Sequence, residues 1–150
     1  MKSIDQLDGR DDILHRIEKL SVAHVGLWGK MNVVEMMAHL NDAFRASMGM
    51  KSVRGSVPSW LHWPARLLFL HCLPWPPGLP APPEFQSAKK GSKPKDFDTE
   101  KAFLKTMIDI FSERSADKLT PHPIFGKMNK YDYGKLLYKH VDHHLRQFGV

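Results

Sequence analysis

The segment that most constrains the fold is the last stretch of the chain, YGKLLYKHVDHHLRQF, residues 133–148. At about 100° per residue, Tyr133, Leu137, His140 and His144 fall along one side of a helix. Two imidazoles four residues apart therefore lie in the apolar stripe that a helix buries against its neighbours. A divalent metal ion satisfies such a pair, because residues at i and i+4 converge on one ion. The alternative is that one imidazole donates to a backbone carbonyl while the other faces water, and the spacing leaves both interpretations open.

Three further segments, over residues 11–20, 33–49 and 98–119, have the apolar periodicity of amphipathic helices. No alternating strand pattern and no hairpin turn occurs between them. The chain is therefore predicted to be all-α, with four helices that form a bundle around a long proline-rich crossover. The predicted N-caps of the three segments are, in order, Asp8 or Asp11, then Asn32, then Asp98.

The tetrapeptide GKMN occurs twice, at residues 29–32 and 126–129, and each copy leads into a helix. An acid follows each asparagine by three residues, Glu35 in the first copy and Asp132 in the second, as in a capping box. The repeat indicates either that both helices use the same kind of N-terminal cap or that a pair of helices is duplicated. The second copy ends a proline-bracketed turn in which His122 is predicted to pack the turn rather than to bind a metal.

Between residues 51 and 96 the sequence changes character and holds most of the prolines and three of the four tryptophans. Residues 60–73 are predicted to form a short apolar helix with Pro64 in its first turn, followed by a stiff extended crossing. This much apolar surface predicts that the connector packs over the domain as a lid and shields its tryptophans. Contact with a membrane surface or with another subunit is the alternative. His62 and His71 also lie in the connector, but neither has a spacing to other histidines that indicates a metal ligand.

The composition is that of an ordinary globular protein, with one domain predicted over residues 1–150. No apolar run approaches the roughly 20 residues of a membrane span, and the charged N-terminal residues do not resemble a secretory signal. The single cysteine, Cys72, excludes an internal disulfide, suits the cytoplasm and is predicted to be a core residue. The net charge of +6 comes from scattered lysines and arginines, which argues against nucleic-acid binding.

Three motifs give the chain a family resemblance: WGKMN followed by His39, the turn HPIFG at residues 122–126, and HVDHHLRQFG at residues 140–149. On these motifs and the proline-rich crossing, the chain resembles the DinB-like superfamily over nearly its full length. Within it, the chain looks like a branch described only as a domain of unknown function. The resemblance implies a four-helix bundle in which a divalent metal is held by His39, His140 and His144. Some relatives are transferases or isomerases that use a low-molecular-weight thiol such as glutathione, mycothiol or bacillithiol.

Other side chains near this site have predicted supporting roles. Asp42 and Glu35, each one turn from His39, are candidate acceptors for the second ring nitrogen of that histidine. Gln147 is predicted to face the pocket. His143 points about 100° away from the metal-binding stripe and is not a predicted ligand.

Three neutral imidazoles suit Zn²⁺ or Ni²⁺ and leave coordination positions for water or a thiolate. The leading hypothesis is therefore a cytoplasmic, metal-dependent enzyme that transfers a thiol to a small-molecule electrophile. The alternative is a non-catalytic metal-binding or stress-response module whose connector contacts a partner or a membrane surface without stable insertion. A homodimer stays open under either hypothesis, and no catalytic group beyond the metal ligands is assigned.

Overall fold

The computed structural model describes residues 2–54, 57–72, 75, 85 and 91–150. All regular structure within these residues is helical, which confirms the all-α class. A 3-10 turn at Ser59–Leu61 and a π-helical turn at Leu67–Cys72 flank the shortest helix, and a second 3-10 turn covers Ala116–Lys118. The helices are α1 Leu7–Lys19, α2 Val33–Ser47, α3 His62–Arg66, α4 Phe97–Glu113 and α5 Lys130–Gln147.

The four long helices surround one apolar core. Helix α2 contacts α4 and α5, and α1 contacts the same two helices from the other side. Each of the four carries an apolar stripe, and burial of these stripes excludes water from the centre. None of the described helices is both long and apolar enough to cross a membrane. The fully buried core residues include Ile13, Ile17, Met36, Met37, Leu40, Phe44, Leu104, Ile108, Phe111, Val141 and Leu145.

The two GKMN copies adopt the same capped conformation. The side-chain oxygen of Asn32 accepts from the backbone N–H groups of Val34 at 3.0 Å and Glu35 at 2.9 Å, and the Glu35 carboxylate accepts from the Asn32 N–H at 2.9 Å. The predicted capping box is therefore confirmed. Asn129 caps α5 in the same position by accepting from the Asp132 N–H at 2.7 Å. The glycine three residues before each asparagine has a positive φ, 80° at residue 29 and 67° at residue 126, which only glycine adopts without strain.

The predicted caps of the other two helices are wrong. Helix α1 begins at Leu7, and its N-cap is Gln6, which makes no side-chain capping bond. Neither Asp8 nor Asp11 therefore caps this helix, because both lie inside it. The N-cap of α4 is Asp96, whose carboxylate accepts from the Thr99 N–H at 2.9 Å. Asp98 lies inside the first turn instead, where the helix dipole favours a negative charge. Helix α4 also ends earlier than predicted, at Glu113.

The N-terminal residues belong to the core through a close contact with α5. Ser3 and Ile4 are fully buried, and the Ile4 N–H donates to the carbonyl oxygen of Gly134 at 3.1 Å. A Cβ atom added to Gly134 would lie 2.2 Å from Ser3 Oγ and 3.0 Å from the backbone nitrogen of Asp5. Glycine is unfavourable inside a helix, and its presence in α5 is explained by this approach of a second backbone.

Replacing Gly134 by Ala is therefore expected to destabilise the protein. In an exposed helix the same change stabilises by about 0.5–1 kcal/mol. Here the added methyl group overpacks against the buried Ser3 side chain and the Asp5 backbone, which costs roughly 1–3 kcal/mol. Urea denaturation followed by circular dichroism measures the change, and a variant more stable than the parent chain would contradict the assignment of this contact.

Both ends of the connector are tied to α2 through Asp42, which is only 1% exposed. The Lys51 ammonium contacts the Asp42 carboxylate at 2.6 Å from one end. From the other end, the Ser92 N–H and hydroxyl donate to the same carboxylate at 2.7 and 2.6 Å. Because one buried carboxylate binds both ends, the connector is fixed to the helix that carries His39.

The connector helix is only partly packed. Leu70 is buried, but Trp60 and Trp63 are 74% and 64% exposed. The prediction that the tryptophans of this helix are shielded is therefore wrong for these two, whose side chains lie on the outward face of a helical segment. Trp75, in contrast, is half-buried and packs against the core. Apart from Trp75, the predicted proline-rich crossing over residues 74–83 lies outside the described residues, and so does the Cys72 side chain, for which burial is predicted.

Candidate metal centre

Helices α2 and α5 bring three histidines together inside the core. His39 lies in the middle of α2, and His140 and His144 lie one turn apart on the side of α5 that faces it. The Nε2 atoms of His39 and His140 are 2.8 Å apart. His144 joins them, so that one ring nitrogen from each histidine lies within 4.8 Å of the other two. The structure thus places the three predicted residues in one cluster, with His39 and His144 buried and His140 half-buried.

Hydrogen bonds on the far side of two rings fix their tautomers. The Nδ1 of His39 lies 3.0 Å from the carbonyl oxygen of Phe85, which can only accept, so this nitrogen carries the proton. The Nδ1 of His144 donates to Gln147 Oε1 at 2.8 Å, and Gln147 Nε2 donates to the carbonyl oxygen of Trp28 at 2.6 Å. In the neutral rings, Nε2 of both histidines is left with a lone pair directed away from these partners.

The contact between His39 and His140 follows from these tautomers. Because Nε2 of His39 has no proton, Nε2 of His140 must donate the hydrogen bond that joins the two rings at 2.8 Å. A metal ion needs the lone pairs of all three rings, so its binding requires that the His140 proton moves to the other ring nitrogen, which keeps the ring neutral.

The three imidazoles are neutral at pH 7. Burial lowers the pKa of each ring, and for His144 it lowers the pKa to about 3. For His140, burial holds the pKa well below its ordinary value, and repulsion from His39 and His144 lowers it further. Neutral imidazole is the form that binds a metal ion, so none of the three rings has to lose a positive charge before an ion binds.

The predicted carboxylate partners of His39 are wrong. Asp42 is occupied by Lys51, Ser92 and Arg45, and Glu35 caps the start of its own helix. Both carboxylates lie one turn from His39, but neither bonds to its ring. A carbonyl oxygen of the connector takes their place. The contact joins residues 46 positions apart, and no sequence spacing indicates it.

The remaining histidines do not join the cluster. His143 is 8% exposed, so it lies in the cavity wall and not in solvent, with its ring 5.8 Å from Trp28 and 6.2 Å from Trp75. His122 packs its turn as predicted, because its Nδ1 accepts from the N–H groups of the two residues at 124 and 125. His62 bonds to a connector carbonyl at 3.1 Å, and His71 is exposed.

A cavity of about 640 Å³ opens beside the cluster. Two connector residues that the sequence did not predict cover the histidines: Trp75 lies 5.5 Å from the His140 ring, and Phe85 lies 6.0 Å from the His39 ring. Gln147 lines the same cavity, as predicted. The volume is that of a small-molecule site, and the three histidines form part of its wall.

The nitrogen cluster fits a small divalent ion. Three neutral nitrogen donors with no carboxylate among them suit Zn²⁺ or a neighbouring transition metal. Two nitrogens that bind one tetrahedral Zn²⁺ are roughly 3.3 Å apart, so His39 and His140 need only a small separation to admit an ion. The cavity on the other side leaves room for a fourth ligand.

Replacing Gln147 by Leu is expected to weaken binding of Zn²⁺ by roughly 10–100-fold, because His144 then loses the acceptor that fixes its tautomer. Replacing Gln147 by Glu keeps an acceptor for the His144 N–H but loses the bond that Gln147 donates to the Trp28 carbonyl, so it separates the two contacts, and a smaller loss of affinity is expected. Competition with a chromophoric chelator at pH 7 measures both dissociation constants. Equal affinities in the Leu variant and the parent chain would contradict the role of this hydrogen bond.

The comparisons with known proteins give a family but no activity. The family model described as "Protein of unknown function (DUF1569)" matches residues 2–149. Neither the search of curated proteins nor the search of solved structures gives a match.

Proposed function

Because the chain belongs to the DUF1569 family, whose function is unknown, we propose a function from the site itself: the protein binds one divalent metal ion through His39, His140 and His144. The observation that carries this proposal is the convergence of three neutral imidazoles on one point of the core. A cluster of buried imidazoles without a carboxylate is costly to desolvate, and a metal ion offsets that cost by accepting all three lone pairs.

A second proposal concerns the fold superfamily and is supported by the arrangement of the helices. We propose that the four long helices form the DinB-like bundle, that residues 1–150 form one domain, and that residues 51–96 act as its lid. The supporting observations are the ring of contacts among α1, α4, α2 and α5 and the attachment of both connector ends to Asp42. Trp75 and Phe85, which cover the histidines, belong to this lid.

We further propose that the protein is a thiol transferase acting on a small electrophile. A bound Zn²⁺ or Ni²⁺ lowers the pKa of a coordinated thiol, which makes it a nucleophile at neutral pH. In the transfer, the thiol sulfur bonds to an electrophilic carbon, the leaving group departs with the bonding electron pair, and the thiol proton is released to water. The chain's own contribution is to orient His39 and His144 through Phe85 and Gln147, and to hold both reactants in the cavity.

Titration of thiols into Co²⁺-loaded protein tests this function. Glutathione or bacillithiol is expected to produce a sulfur-to-cobalt charge-transfer band in the near ultraviolet, and the His140→Ala/His144→Ala variant should give none. The same thiols with a panel of alkyl halides and epoxides then test for transfer. A loaded protein that gives neither the band nor a conjugate would favour the alternative, a non-catalytic metal-binding module, for which the exposed Trp60 and Trp63 offer a contact surface.

A further inference from the structure

The helical segment over residues 59–72 of the connector is apolar on two opposite sides. Its inner side packs against the core through the buried Leu70 and the half-buried Ala65 and Phe69. A helix that is apolar all round is normally buried on every side, but here the outer side faces solvent. Four large apolar residues that are 44–74% exposed form an outer stripe, namely Trp60, Trp63, Leu67 and Leu68.

We propose that the outer stripe binds to the surface of a membrane that contains anionic lipids, with its two tryptophan rings at the level of the headgroups. None of the four residues lines the cavity, and none belongs to the histidine cluster. The inference therefore goes beyond the proposed function and does not depend on the metal.

The outer stripe is one continuous surface on a segment that is held in place. Its residues follow one another at intervals of three, four and one positions, which puts them along one side of a helix. The Arg66 guanidinium donates to the carbonyl oxygen of Lys127 at 3.1 Å, and the Lys139 ammonium donates to that of Phe69 at 2.7 Å. Because these bonds and the buried Leu70 fix the segment to the bundle, the stripe keeps facing outwards.

The charge beside the outer stripe is positive. No aspartate or glutamate occurs in the sequence between Asp42 and Glu84, whereas lysine and arginine do. Arg66 belongs to the helical segment, and its bond to Lys127 places the backbone of that exposed lysine next to the segment. Neither cation forms an ion pair with a carboxylate of the described residues. An anionic surface is therefore attracted to this side of the protein.

The side chains of the outer stripe suit the boundary between lipid headgroups and acyl chains. Tryptophan is enriched at that level because its ring is apolar and its indole N–H still reaches a polar acceptor. The leucines extend the apolar area that enters the acyl boundary. Tryptophan and leucine on the outward side of a fixed helical segment, with unpaired cations beside them, are the features of a helix that lies in the plane of a membrane surface.

A second copy of the chain fits the outer stripe less well. In a two-fold dimer the same patch faces itself, so both protomers bring Arg66 and Lys127 towards the contact. The helical segment supplies no carboxylate to offset the repulsion between these cations. Anionic lipid headgroups offset it directly, while the acyl boundary accepts the apolar side chains.

Binding of the full chain to vesicles tests the inference. We expect flotation with vesicles of phosphatidylcholine that contain about 30% phosphatidylserine, and at least about tenfold weaker binding to phosphatidylcholine alone. Trp60→Ser/Trp63→Ser should weaken binding to the mixed vesicles by at least about tenfold, and Lys127→Gln by about fivefold. The matched control is Val22→Ser/Val25→Ser, which removes apolar side chains that are 70% and 81% exposed between α1 and α2 and should change nothing.

Quenching of tryptophan emission by brominated lipids identifies the part of the chain that enters the membrane. The parent chain should be quenched when it binds. Trp60→Phe/Trp63→Phe keeps two apolar rings, so it should still bind to the mixed vesicles but lose most of the quenching. Equal quenching in this variant would mean that another tryptophan contacts the lipid, which overturns the inference.

Three further results would overturn the inference. The first is equal binding of the parent chain to neutral and to mixed vesicles, because the cations then contribute nothing. The second is a loss in Val22→Ser/Val25→Ser as large as that in Trp60→Ser/Trp63→Ser. The third is an absence of vesicle binding, and a dimer in sedimentation that Trp60→Ser/Trp63→Ser abolishes would then identify a second copy as the partner of the outer stripe.

Discussion

Replacing His140 and His144 together by alanine is expected to abolish stoichiometric metal binding. Elemental analysis of the parent chain loaded with Zn²⁺ should give about one ion per chain, and the double variant should give none. The loss of the ion also lowers the free energy of unfolding measured in the presence of Zn²⁺. An ion that binds only the folded state stabilises that state by about 4 kcal/mol when its free concentration is 1,000 times its dissociation constant. Thermal unfolding with and without Zn²⁺ should therefore show a large upward shift for the parent chain and no shift for the variant.

Two histidine variants serve as controls. His143→Ala removes an imidazole from the same helix that lies outside the cluster, and His15→Ala removes an exposed one. Both are expected to keep one ion per chain. Far-ultraviolet circular dichroism establishes that the double variant is folded before its metal content is compared. If the folded double variant retains the ion, or if His143→Ala loses it, the ligand assignment is wrong.

The sequence predicts those parts of the fold that depend on local spacing. The period of 3.6 residues places His140 and His144 on one face of α5, and asparagine followed by an acid three residues later places the N-termini of α2 and α5 correctly. The predicted starts of α1 and α4 are wrong because several aspartates compete at each start, and local preference alone does not select among them. One feature of the sequence relates to the burial of Ser3 and Ile4, namely the glycine at position 134. A glycine inside a helix indicates that another part of the chain approaches the backbone there, and in this structure that part is the N-terminal segment.

The surroundings of the histidines depend on contacts that no spacing encodes. Asp42 lies one turn from His39, as a partner would, but it is bound by Lys51 and Ser92, which reach it from the two ends of the connector. The ring of His39 is instead oriented by the carbonyl oxygen of Phe85. Every residue has a carbonyl group, so such a partner has no signature in the sequence. Gln147 was predictable because its distance from His144 is within one turn of the same helix.

The turn that contains His122 requires the neutral form of that ring. Its Nδ1 accepts from two backbone N–H groups, and its ring stacks on Phe125 at a centroid distance of 4.6 Å. The titratable groups packed around it are His62 from α3 and Tyr133 and His140 from α5. None of these groups is a carboxylate, so nothing compensates a positive charge on His122. Burial, with repulsion from His62 as a smaller cause, lowers its pKa to about 4.

Acid is therefore expected to destabilise the protein through His122. The unfolded chain takes up this proton near its ordinary pKa of about 6.5, whereas the folded chain takes it up only near pH 4. The stabilising contribution is complete above pH 6.5 and is lost as the pH falls from 6.5 towards 4, because the unfolded state binds more protons in that window. At about 1.4 kcal/mol per pH unit, the loss amounts to about 3 kcal/mol at most.

His122→Asn keeps an oxygen that accepts from the same two N–H groups but does not titrate, so it isolates this contribution from that of the other histidines. Urea denaturation of the metal-free proteins at pH 7, 6, 5 and 4 should show the free energy of unfolding falling more steeply for the parent chain than for His122→Asn. Parallel pH profiles would mean that His122 is not held neutral by the fold.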